Sequence, residues 1–365
     1  SCQFMKIGII GLPSSGKTTV FNALTRGYAD TGGFGATRSA NVGVARVPDL
    51  RVDRLSEIYK PKKQTYAEVT YVDLPSNTSG DLFEGEALVH LQKVDAILLV
   101  VRAFENQAVP HMDGAVNYKR DIEKVTFDIL FADIALLERR IERLTVSQKG
   151  LKAAEREQSA KIIRILKRLQ ADLESGIALR DRDLNTAEKL AVSDTFTLSS
   201  LPLLVALNIG DDSIIDATSF ESEVSNLLRG KLTGSAAIAG SLEAELVKMS
   251  AEEENEMRAG LSAGESGLSK MIKLSYSVLG LNSFLSVGGD EVRAWTVVTG
   301  SMASEAAGII HSDIERGFIR AETVSFNDFM ECGNMSEARA RGKLRQEGRH
   351  YIIQDGDIVN FLFSV

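Results

Sequence analysis

The sequence predicts an α/β fold: a parallel sheet with covering helices, split by a long helical insertion and followed by a small mixed β-domain. Three observations carry this. Apolar runs of strand length precede helical patterns near residues 5, 94 and 201. Between them the spacing changes to threes and fours sustained over two long stretches. From about Leu281 short β-rich runs surround a single helical stretch.

Composition bounds the rest. A chain of 365 residues, 44% of them hydrophobic, is long enough for two or three domains. Its net charge of −8 argues against broad polyanion binding, and no DNA partner is expected. Cys2 and Cys332 are far apart, so neither a disulfide framework nor a cysteine zinc site is implied, and a reducing cytoplasm fits. No apolar run reaches the ~18 residues of a membrane span, so no membrane association is expected. No signal peptide is read, and Met5 reads as the start, with "SCQF" a remnant ahead of it.

The first strand is the apolar run Met5–Ile10. It leads into Gly11-Leu-Pro-Ser14-Ser15-Gly16-Lys17-Thr18-Thr19, which fits G-x-x-x-x-G-K-[ST] at every fixed position. Val20, Phe21 and Leu24 then follow at helical spacing. Strand, glycine loop and helix in that order are a phosphate cradle. Gly11 and Gly16 let backbone N–H groups converge on an anion, and the helix N-terminus adds partial positive charge. Lys17 is expected at the β- and γ-phosphates and the Thr18 hydroxyl on Mg²⁺. Ser14, Ser15, Gly16 and Thr19 complete the expected nucleotide contacts.

Such a loop needs a carboxylate on the magnesium side. "AEVTYVDLPS" supplies Asp73 at a strand end, with Ser76 where switch GTPases carry the Gly of D-x-x-G. Between loop and carboxylate, the glycine-rich "GGFGATRSANVG" offers Thr37 as a further hydroxyl for Mg²⁺ and γ-phosphate, or as a plain turn former.

"VDAILLVVRAF" (94–104) and "LPLLVALN" (201–208) read as core strands of a parallel sheet. The second delivers Asn208, Ile209 and Asp211 to the sheet's carboxyl edge, where ligands bind in open α/β folds. Between these strands Phe127, Leu130, Ile134, Leu137, Ile141 and Leu144 form a heptad-like seam, which Ile162, Leu166, Leu169 and Leu173 repeat after Gly150. That is an antiparallel helical hairpin. From Arg139 to Arg168 it carries ten Lys/Arg against three Glu. Such an arm is either a solvated face or a contact for RNA or an acidic partner. The final stretch, closing on the turn "QDGD" and one more strand, reads as a mixed β-grasp domain.

The loop "GLPSSGKTT", the segment "RAFENQAVPHMDGAVNYKRDIE", the helical insertion and the tail "DEVRAWTVVTG…AAGIIHSDIERGFIRAE…YIIQDGDIV" together resemble the YchF / Obg-like ATPase family along the whole chain. The resemblance implies a Ras-like G domain split over 5–120 and 195–280, an inserted coiled-coil arm over 121–194 and a TGS domain over 281–365. It also implies Mg²⁺-dependent nucleotide hydrolysis and association with the ribosome or ribosomal RNA through the arm and TGS domain. This chain departs from the family in Ser14-Ser15, where Asn-Val is usual, and in Ser76. The altered and shortened switch II leaves as one alternative a nucleotide-binding regulator that does not hydrolyse; a second is an RNA- or ribosome-binding scaffold with the arm and TGS domain as working surfaces and the G domain structural.

The family lacks the glutamine that Ras-type enzymes use, and a histidine in the loop after the third core strand is proposed to serve instead. His111, in "AVPHMDG", matches that position. For the base, Asp211 in the spacing Asn-x-x-Asp argues for guanine. Ile209 in place of the usual Lys, together with the resemblance, argues for adenine read by backbone groups near Ile209. We read ATP as the nucleotide, with GTP as the alternative.

Overall fold

The computed structural model describes residues 5–27, 40–75, 83, 85–228, 230–261 and 265–364. They belong to two compact units: Lys6–Gly43 with Tyr71–Met271, and Ser1–Met5 with Val44–Thr70 and Ile272–Val365.

In chain order the first strands are β1 (Lys6–Gly11), β2 (Asn41–Arg46), a short β3 (Lys63–Thr65), β4 (Glu68–Asp73), β5 (Ala96–Ala103), β6 (Leu203–Ile209) and β7 (Thr233–Ile238). Six form one sheet in the order β2-β4-β1-β5-β6-β7. β1, β5, β6 and β7 pair in parallel, with Ile9 opposite Leu98 and Val100 opposite Ala206. Every residue of β6 is buried, the pattern of a strand covered on both faces. Parallel strands bring their carboxyl ends to one edge, so Gly11, Ala103 and Ile209 arrive together. Helix Lys17–Thr25 buries Val20, Phe21, Ala23 and Leu24, the spacing read from sequence.

The insertion begins with helix Tyr118–Ser147. Its N-cap Asn117 accepts the Arg120 N–H at 3.1 Å, satisfying one of the helix's free donors. Ile122, Val125 and Ile129 root it in the sheet's core. Beyond them Leu130 and Leu137 pack on Leu166, Leu169 and Leu173 of helix Ala153–Glu174, with Ile134, Ile141, Leu144 and Ile162 alongside. Phe127 departs from the predicted seam: it is 66% exposed and stacks on Phe131. Val125 and Ile129, two positions to either side, face the sheet's core, so Phe127 falls on the opposite side of the helix. The carboxylate of buried Asp133 accepts the Leu198 and Ser199 N–H groups at 2.9 and 2.8 Å, clamping the arm to the chain that returns to β6.

The second unit holds β8 (Leu281–Val287), β9 (Glu291–Val298), β10 (Phe318–Ser325), β11 (Arg345–Glu347) and β12 (Asp357–Phe363), in the sheet order β11-β10-β12-β8-β9-β3. β8 and β9 are antiparallel, and β12 runs parallel to β8. Helix Ala303–Ile310 presents Ala303, Ala306 and Ala307 to Phe284, Val297 and Phe361, and these small residues let it lie close to the sheet. This is the β-grasp arrangement. Helix Leu50–Tyr59 and β3, which lie between β2 and β4 in the chain, group with this unit. β3 extends this sheet alongside β9, and Arg51 donates to Asp355 at 2.7 Å. No helix among the described residues is long and apolar enough to cross a membrane.

Candidate functional site

The site grows from the end of β1. A Cβ on Gly11 would lie 2.6 Å from Ser15 Oγ and 2.7 Å from the Val100 carbonyl oxygen, so the chain can turn here only without a side chain. The loop closes with the Ser15 N–H on the Leu12 carbonyl at 3.2 Å. Ser14 (φ 62°) and Gly16 (φ 84°) are both left-handed. Such residues turn successive N–H groups to one side and make an anion nest at the start of the helix. Ser14 is exposed, Thr19 is half-buried, and Ser15 is buried with its hydroxyl unpartnered among the described residues.

Lys17, Thr18 and Asp73 meet here. The Lys17 ammonium donates to Asp73 Oδ1 and to the Leu74 carbonyl. The Thr18 hydroxyl donates to Asp73 Oδ2 at 3.3 Å. Asp73 is buried at the end of β4, and the next residue, Leu74, donates its N–H to the Ile9 carbonyl of β1 at 3.2 Å. A hydroxyl and a carboxylate held side by side are hard oxygen donors of the kind magnesium takes, so the residues present fit that ion. Thr37 and Ser76 lie outside the described residues.

Asn208 is the next-to-last residue of β6, beneath the loop. Its side-chain N–H donates to the Ser15 carbonyl at 3.0 Å, and its oxygen accepts the Gly240 N–H at 3.1 Å. One N–H and the oxygen of the amide thus tie the phosphate loop to the start of the segment after β7. Ile209 is buried, paired with Ala103 of β5. Asp211 is exposed at the first position of the following 3-10 turn.

His111 is buried, not open to the site. Its ring pairs with Asp121 and lies in a pocket of about 10 Å³ that Leu12, Pro13 and Ser15 of the phosphate loop also line. Asp121, Gly240 and Arg102, which shares this pocket, are the residues that sequence reasoning missed. Gly240 follows an apolar run at the ligand-binding edge, and that was the one signal available. The other two lie in the segment of residues 102–123 that carries the family resemblance, but no spacing within it marks them.

Two family models match: one described as 50S ribosome-binding GTPase over residues 6–133, and the C-terminal model of the YchF GTPases over residues 281–364. The "Ribosome-binding ATPase YchF" of Bacillus subtilis is 36% identical over 98% of this chain and 99% of the relative. Its namesake in Escherichia coli O157:H7 is 35% identical over 99% of both. The solved structure described as the Schizosaccharomyces pombe YchF GTPase superposes with a TM-score of 0.85 at 27% identity, covering 99% of this chain and 98% of the other.

Proposed function

The chain belongs to the YchF family, and from that premise we propose that it is a magnesium-dependent P-loop nucleoside triphosphatase that works on the ribosome in the cytoplasm. The observation that carries the reading is the convergence of Lys17 and Thr18 on Asp73 at the mouth of the glycine loop. Lys17 exchanges Asp73 and Leu74 for the β- and γ-phosphates. Thr18 and Asp73 are the residues that would hold magnesium, which, when bound, neutralises phosphate charge. His111 orients the attacking water after leaving its pocket.

The nucleotide is ATP. Relatives at 36% and 35% identity are named ATPases, whereas the yeast structure is named a GTPase. The exposed carboxylate of Asp211 favours guanine only if it turns onto the base. The basic arm and the β-grasp unit are the surfaces offered to ribosomal RNA.

Calorimetry with ATP and GTP side by side, with and without Mg²⁺, tests the site. Single-turnover hydrolysis tests the chemistry, and co-sedimentation with ribosomes over rising salt tests the partner. GTP binding more than about tenfold tighter than ATP overturns the base assignment. Binding without turnover makes the protein a nucleotide-sensing regulator.

A further inference from the structure

Of residues 105–115, His111 alone is buried. Its ring is the one side chain of this loop that points inward, while Arg102 and Arg120 hold the loop's carbonyls at Asn106 and Ala115. The Nε2–H donates to Asp121 Oδ2 at 3.0 Å, and both side chains are 2% exposed. Nδ1 accepts the Asp113 N–H at 3.2 Å and faces Arg120 Nη2 at 3.4 Å. These partners place the ring proton on Nε2 and the lone pair on Nδ1, and they occupy both nitrogens. The surrounding space is about that of one water molecule. A histidine so held has no nitrogen free for a nucleophile, although Pro13 and Ser15 of the phosphate loop line the same pocket.

The pair is built to open. Asp121 also accepts from Arg120 Nε at 3.0 Å and Nη2 at 2.9 Å, so departure of the ring does not leave a buried carboxylate alone. Ser15 Oγ and Arg102 Nη1, unpartnered among the described residues, border the space the ring would vacate.

We propose that Asp121 is a positioning residue that withholds His111 from the phosphate side of the loop, so that turnover is limited by the fraction of molecules in which the His111–Asp121 pair has opened. This rests on His111 being the water-orienting side chain. Activity scales with the population of the competent state, so weakening the pair raises turnover without adding any contact to the nucleotide. Loss of the carboxylate's charge weakens the pair while its shape stays.

The test compares wild type, Asp121→Asn, His111→Ala and the double variant, each checked for wild-type melting. Turnover is measured under saturating nucleotide, and affinity with a non-hydrolysable triphosphate. Asp121→Asn is expected to raise kcat roughly three- to tenfold with affinity unchanged. His111→Ala is expected to lower kcat, and the double variant to match His111→Ala. A fall or no change in kcat for a folded Asp121→Asn, or a rise that survives without His111, overturns the proposal. Wild-type turnover in His111→Ala refutes the underlying reading of His111 and the proposal with it. If Asp121→Asn does not fold, ¹⁵N spectra of the wild-type histidine rings, assigned with His111→Ala, decide. A proton on Nε2 supports the pair and one on Nδ1 overturns it.

Discussion

Gly16 and Asn208 lie so close that one added carbon is excluded: a Cβ on Gly16 would sit 2.1 Å from Asn208 Nδ2. That same amide holds the Ser15 carbonyl at 3.0 Å. The left-handed turn of the phosphate loop and the end of β6 are thus fitted to each other.

Gly16→Ala tests this fit. The side chain meets both a positive φ and the Asn208 amide. The expected outcome is a loss of about 2 kcal/mol or more in stability and at least a tenfold loss of nucleotide affinity, read by denaturant unfolding and calorimetry. Wild-type binding would show that the loop relaxes without cost.

Asn208→Ala leaves the buried Ser15 carbonyl and Gly240 N–H without their partner. The expected cost is about 1–3 kcal/mol of stability for each group left unpaired. ATP and GTP affinities should fall in parallel, since the loss acts through the phosphate loop that the Asn208 amide holds. Asp211→Ala, by contrast, should alter only the ratio of the two. A base-selective loss in Asn208→Ala would reverse these roles.

At the phosphate end, Lys17→Ala should remove most triphosphate affinity with the fold retained, and lower the melting temperature because buried Asp73 loses its partner. Thr18→Ala should weaken triphosphate binding in Mg²⁺ but leave diphosphate binding in EDTA unchanged. Equal losses in both buffers would take Thr18 out of the magnesium site.

Asp133 supplies a pH dependence. Burial raises its pKa above the ordinary carboxylate value, against the lowering effect of the Ser199 and Leu198 hydrogen bonds and of Arg180. The folded state therefore holds this proton more tightly than the unfolded chain. The group's contribution to stability is full below the usual carboxylate pKa of about 4 and declines as pH rises through the raised value. Unfolding of wild type and Asp133→Asn across this window should show wild type losing stability relative to the variant. A flat difference would place Asp133 at its ordinary pKa.

The sequence by itself determined the phosphate loop, the Lys17–Thr18–Asp73 set, the parallel strands, the arm and the β-grasp tail. Each is written in local spacing: a fixed-length loop, a strand-length apolar run, a three-four repeat. Such spacings report the period of one element and are read without knowing its neighbours. Tertiary structure alone decided what crosses between elements. Asn208 reaches Ser15 across 193 positions and Gly240 across 32, because the sheet order sets β6 beside β5 and β7. Phe127 keeps the seam's spacing yet faces solvent, because at this level the helix turns Val125 and Ile129 to the sheet's core and Phe127 lies on the other side. His111 was legible as a residue type in a loop. That Asp121 holds it closed depends on where the start of the arm packs against the phosphate loop, a relation no periodicity encodes.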